Sequence, residues 1–191
     1  MTPKIKSRLN ELNKALIEQS NEGFTLSEKG EEQISCRVKL AVPAILLKNL
    51  DKWEFKLFNK MRCADYAIIK KEENGYSLHL FELKKTIKPT DMVKIMQQFT
   101  GAFLRAEMIA KFLNIHLYKY YTYIIYLKEK NKTTNPIDYR NAISNRQNRE
   151  DINSWGKDSV NIYCFDTSIK CYNYKIILKQ NSKESIDEVI L

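Results

Sequence analysis

Asp65, Glu82 and Lys84 are the side chains whose types and spacing can do chemistry together in this chain. They lie in two apolar segments, RCADYAII (Arg62 to Ile69) and SLHLFELKKT (Ser77 to Thr86). Alternate side chains of a strand project to opposite faces, so Glu82 and Lys84 share a face and Leu83 turns away. If the two segments pair as neighbouring strands, Asp65 joins that face. Two carboxylates and an ammonium then converge where an apolar strand pair would otherwise continue. Carboxylate oxygens suit a hard cation such as Mg²⁺, which binds through one or two of them and shares the rest of its shell with water and phosphate. Such a cation can bridge an attacking water and a scissile phosphate while a lysine offsets developing negative charge. That is phosphodiesterase chemistry. The competing account is a surface ion pair at a hairpin end, which would stabilise little. Leu80 and Phe81 argue against it, because Glu82 then ends an apolar strand rather than lying in a polar one.

The elements that must position these groups can be read from periodicity. Thr2 and Pro3 open a first helix with a cap and a first-turn proline, Ile5, Leu9, Leu12 and Leu16 give it an apolar stripe, and Gly23 closes it. Ile34, Cys36, Val38, Leu40 and Val42 alternate with smaller or polar residues, which predicts a strand ended by Pro43. Residues 44–60 fit either a helix or a helix followed by a strand. Strands over 62–70 and 76–85 flank the polar turn KKEENG, a hairpin signal. Pro89, Thr90 and Asp91 cap a long helix whose buried stripe is Ile95, Phe99, Phe103, Ala106, Ala110 and Leu113. YKYYTYIIYL (118–127) reads as a strand, in which tyrosines are common without any role in binding. A polar stretch then leads to a hairpin of 159–165 and 171–179, and the tail NSKESIDEVIL is a short helix or frayed. The order predicts an α/β or α+β domain with a central mixed sheet flanked by helices and a C-terminal hairpin extension.

Asp65, the Glu82-Leu83-Lys84 triplet and the element order around them resemble the PD-(D/E)XK nuclease superfamily, the restriction-endonuclease-like fold. The resemblance covers a core of about residues 5–127, with 128–191 as an extension of one 1–191 domain. It implies that Asp65 and Glu82 ligate Mg²⁺ or Mn²⁺, that Leu83 adds its backbone carbonyl, and that Lys84 is the catalytic lysine. It also implies an acid from the first helix, for which Glu18 and Glu22 are the candidates, and a supporting Gln98 on the following helix. Ala64 stands where the motif name has proline, and Ala102 where RecB-type members carry a tyrosine one turn after the glutamine. The function implied is metal-dependent hydrolysis of phosphodiester bonds, with DNA favoured over RNA and a homodimer as one arrangement for cutting duplexes.

Composition agrees with a polyanionic partner. The 191 residues carry 32 Lys and Arg against 23 Asp and Glu, a net charge of +9. Lys85, on the opposite parity to Lys84, and Arg140, Arg146 and Arg149 in RNAISNRQNRED are candidate nucleic-acid contacts, although a solvated loop explains the arginines equally well. Four scattered cysteines without a CxxC pair, and two histidines, argue against a zinc site or a disulfide framework. No apolar run approaches the roughly 18 residues of a membrane span, and the N-terminus lacks a signal-peptide core, so no membrane partner and a cytoplasmic location are expected. Two rivals remain: an inactive nuclease-fold module that only binds nucleic acid or protein, and an RNA-directed nuclease of a defence or toxin system.

Overall fold

The computed structural model describes residues 2–12, 16–28, 34–50, 61–130, 146–164, 167–178 and 187–191. Helix α1 (Pro3–Asn10) starts as expected, with Thr2 Oγ1 accepting from the Ile5 N–H at 3.4 Å. It stops at Asn10 instead of running on to Gly23. The chain forms two strands in its place, β1 (Ile17–Ser20) and β2 (Gly23–Glu28). Gly23 is no helix cap. It opens β2 at φ +150°, so close to β3 (Ile34–Lys39) that a Cβ would sit 2.1 Å from the Val38 carbonyl oxygen. From there Phe24 and Leu26 are buried and Thr25 is exposed, the period-two pattern that overrides the helical spacing upstream.

The next elements are β4 (Ala44–Lys48), β5 (Tyr66–Glu72) and β6 (Gly75–Ile87), followed by a 3₁₀ turn at Pro89–Asp91. Then come α2 (Met92–Phe112), β7 (Leu117–Glu129), α3 (Arg146–Asn153), β8 (Ser159–Cys164), β9 (Thr167–Ile177) and β10 (Asp187–Ile190). Residues 44–48 thus resolve as strand, and 51–60 lie outside the described residues. The molecule is α+β, with a seven-stranded mixed sheet in the order β1-β4-β5-β6-β7-β9-β8 and three α-helices among the described residues. β6, β7 and β9 run parallel, and the other neighbours are antiparallel. The β6–β7 pair is parallel because α2 carries the chain back across the sheet.

Two apolar layers sandwich the sheet. On one face α1 and α2 pack over Ile45, Leu47, Ala67, Ile69, Leu78, Leu80 and Ile124, and every residue of the expected α2 stripe is buried. The other face is covered not by helices but by a three-stranded sheet, β10-β3-β2, which seals Leu46, Ile68, Phe81, Leu83 and Ile125. Two further expectations change. The C-terminal hairpin is no appendage, because β9 pairs in parallel with β7 and β8 continues the sheet. Of the tail, residues 181–186 lie outside the described residues, and 187–190 form a strand rather than a helix or a frayed end: β10 pairs in parallel with β3 from Asp187 opposite Cys36. Among the described residues no helix is long and apolar enough to cross a membrane.

Candidate functional site

The site forms where β5 and β6 part. Their antiparallel ladder begins at Tyr66 opposite Phe81, so β6 beyond Phe81 has lost its partner on that edge while β7 stays paired on the other. Asp65, expected on the strand, lies just before it. It fills the vacated ladder position, its Oδ2 accepting from the Leu83 N–H at 2.7 Å. In an extended strand the N–H and C=O of one residue leave by the same edge, so the Leu83 carbonyl also faces this gap.

Glu82 and Lys84 project to the α2 face, as their parity with Leu78 and Leu80 requires. Glu82 is completely buried, its Oε1 receives the Lys84 ammonium, and its Oε2 has no hydrogen-bond partner. Burial, then the neighbouring Asp65 charge, push the Glu82 carboxyl up to about 7, against the pull of Lys84 and of the nearby Gln98 carboxamide. For Lys84, burial opposes the charge, but the Glu82 carboxylate, then Asp65 and Glu28, outweigh it and hold the ammonium above the ordinary lysine value. Gln98 is 9% exposed; its Nε2 donates to the Cys63 carbonyl at 3.4 Å and its Oε1 is a second buried oxygen without a partner.

Position in this gap depends on α2. The Ala64 N–H donates to the Gln98 carbonyl at 3.0 Å, and a Cβ on Gly101 would lie 2.0 Å from the Arg62 carbonyl oxygen. Gly101 thereby lets the irregular segment leading to Asp65 lie directly on the helix, a contact with no periodic signature in the sequence. A cleft of about 750 Å³ opens over the gap, lined by Glu28 on one wall, Lys48 and Asn49 at the end of β4, Arg62 to Tyr66, and Gln98. Tyr66 braces the small sheet across it, its hydroxyl donating to the Ser27 carbonyl at 2.7 Å and accepting from the Ser27 N–H at 3.2 Å.

Glu28 is an acid of this cleft that reading the sequence did not single out. Burial, then Asp65, raise its pKa, while Lys84 lowers it, so it belongs electrostatically to the same site. Its signal was present: Phe24, Leu26 and Glu28 share the inward parity, the same apolar-to-acid ending seen at Glu82. It went unread because the sequence reading closed a helix at Gly23 and placed its next element at Ile34, leaving 24–33 without one. The two acids expected from the first helix sit on strands or turns instead. Glu18 lies on β1 and pairs with Lys48, whose neighbours line the cleft, whereas Glu22 borders a different cleft beside Pro43 and Ala44. Among the described residues no three His, Cys, Asp or Glu side chains are grouped to hold a metal, so Asp65, Glu82 and Glu28 are not one ligand set.

Of the candidate nucleic-acid contacts, Lys85 is exposed on the face away from Lys84, Arg146 pairs with Glu150 along α3, and Arg149 is exposed on the same helix. Arg140 lies outside the described residues. The four cysteines are thiols rather than disulfides. His79 is buried, and desolvation, then Lys70, lower its pKa to about 3, so the ring is neutral. Ser77 Oγ donates to Glu72 Oε1 at 2.8 Å, so it accepts from His79 Nε2, and Tyr123 donates to Nδ1 at 3.1 Å. This chain of bonds satisfies a buried imidazole and leaves it no proton chemistry to offer. Searches of family models, curated proteins and solved structures found no match to the chain.

Proposed function

We propose that the chain is a divalent-cation-dependent nuclease built on a restriction-endonuclease-like core, hydrolysing phosphodiester bonds, of DNA in preference to RNA. The observation that carries this reading is the Asp65 carboxylate seated in the gap between β5 and β6, beside a buried Glu82 that has an unpartnered oxygen and a lysine ion-paired to it. An orphaned, desolvated carboxylate oxygen next to a second carboxylate is poorly satisfied by protein donors and well satisfied by a hard cation. Two carboxylates with a strand carbonyl suit Mg²⁺ or Mn²⁺, which keep waters and share substrate phosphate, better than zinc, which asks for nitrogen and sulfur. Asp65, Glu82 and the Leu83 carbonyl would hold it. A cation bound there lowers the pKa of a coordinated water and draws charge from a phosphate oxygen.

The chain's own groups do the rest. Lys84, kept charged by Glu82, orients the attacking water toward phosphorus and offsets negative charge as it develops there. Gln98 steadies Glu82, and Glu28 places a third carboxylate on the opposite wall, where it can receive a proton from that water. Lys48 and Arg62 line the cleft as phosphate contacts.

The test is a panel of labelled single- and double-stranded DNA and RNA, incubated with Mg²⁺, Mn²⁺ or chelator. Cleavage is expected with either cation and none with chelator. Asp65→Ala and Glu82→Ala should fall to background, and Lys84→Ala should lose about 10²- to 10³-fold. Cleavage at the wild-type rate by Glu82→Ala would overturn the assignment. Salt-sensitive binding without cleavage under any cation would identify a binding module instead, and cleavage confined to RNA would move the substrate.

A further inference from the structure

A second pocket, of about 420 Å³, opens between α2, α3 and β8. It shares Arg62 with the cleft, and none of the chemistry proposed above uses its other groups. Its polar lining is unusual in kind: the carboxamides of Gln97, Asn148 and Asn161, the Arg62 guanidinium, and the Asp151 carboxylate. Met61, Met96 and the ring of Tyr163 supply flat, polarisable apolar surface between them. Asp151 is only 7% exposed, and Gln147 Nε2 donates to its Oδ1 at 2.9 Å. Burial, moderated by that bond and augmented by Glu150, pushes its pKa up to about 6, which leaves it mostly ionised at neutral pH. An ionised carboxylate only accepts hydrogen bonds and has about four acceptor positions, of which Gln147 takes one. A largely buried acid on a pocket wall, with acceptor positions beyond the one Gln147 fills, suits a ligand with donors.

A planar heterocycle with donors on one edge and acceptors on another meets this lining, and nucleobases are such rings. Guanine fits the acid best. Its N1–H and N2–H₂ are adjacent donors that one carboxylate can accept together, and its O6 and N7 are acceptors suited to a guanidinium or a carboxamide. In a duplex those donors are used in pairing, so the base must be unpaired. We propose that this pocket binds an unpaired guanine, read by Asp151 and stacked against Tyr163, in a nucleotide whose phosphate lies on the Arg62 side. Resting on the nuclease reading, this makes the substrate single-stranded or locally opened nucleic acid, with guanine beside the cut. The base site itself stands apart from the cleavage step.

The experiment is calorimetric titration of guanosine, inosine, adenosine, cytidine and uridine 5′-monophosphates into the wild-type chain with chelator present. Guanosine monophosphate should bind about 10- to 100-fold tighter than the others, the discrimination of one good two-bond base contact. Inosine monophosphate, which lacks only the 2-amino group, should lose most of that advantage, a comparison that needs no variant. Asp151→Asn keeps the shape and the Gln147 contact and should abolish the guanine preference, while Tyr163→Ala should weaken all five nucleotides alike. Equal affinity for all five, or a guanine preference untouched by Asp151→Asn, overturns the proposal. Failure of the two readings is separable: guanine-selective binding by a chain that cuts nothing removes the hydrolase and keeps the pocket. Cleavage with no base preference in either assay removes the pocket and keeps the hydrolase.

Discussion

Glu82 is held in a state that folding alone would not choose. Its pKa rises from 4.5 to about 7 because the side chain is fully desolvated beside Asp65. The folded form therefore favours the protonated acid. Any cost of burying Glu82 is absent below pH 4.5, grows as pH climbs toward 7, and is constant above it. At full ionisation that cost is roughly 3 kcal/mol, since each tenfold change in proton affinity corresponds to about 1.4 kcal/mol. Glu82→Gln should thus raise the thermal midpoint by several degrees at pH 8, with the gain shrinking to nothing near pH 4.5, while cleavage is lost. Mg²⁺ should raise the wild-type midpoint at pH 8 and leave that of Glu82→Gln unchanged. A melting series by pH with and without Mg²⁺ reads both effects, and equal melting of the two proteins at pH 8 would show that Glu82 carries no such strain.

At the scale of elements, the β5–β6 hairpin and α2 act as a unit. Asp65 reaches Leu83 only because the preceding residues lie directly on α2, and Gly101 is what permits that approach. Gly101→Ala should push the Arg62 segment outward, costing about 1–3 kcal/mol by overpacking and reducing cleavage more than a comparable loss of stability elsewhere. Denaturant midpoints beside turnover will separate the two effects, with a core variant such as Ile109→Val as the reference. The hairpin and α2 were legible in the sequence because each carries its own period over many residues, and β7 because of its β-branched and aromatic content, so the shared face of Glu82 and Lys84 followed from strand parity. The first thirty residues were not. Ile5, Leu9, Leu12 and Leu16 imitate a helix through spacing, and Gly23 imitates its cap, when its real task is close approach to Val38. Asp151 had no local signal, since its burial depends on how α3 meets α2.

For the whole molecule, the charge of +9 and the sheet-on-sheet layering set the terms of binding and of integrity. Affinity for nucleic acid should fall steeply with salt, log–log with a slope near the number of phosphates contacted. The small sheet is joined by β10, whose Val189 is 8% exposed against the second core cluster. Val189→Asp should cost about 2–4 kcal/mol by burying an unpaired charge, and it should impair cleavage because the same sheet carries Glu28. An unchanged denaturation midpoint in that variant would show that β10 is not integral. Sequence inspection could not supply β10, because a four-residue parallel strand has no meaning without its partner. That partner also imposes a schedule. β5 and β6 find each other across a short turn, whereas β10 must find β3 across about 150 residues of chain, a contact of the kind that forms slowly. By sequence separation the hairpin that brings Asp65 and Glu82 together is expected to form before β10 closes the small sheet that carries Glu28, and hydrogen exchange during refolding should show β5 and β6 protected before β10.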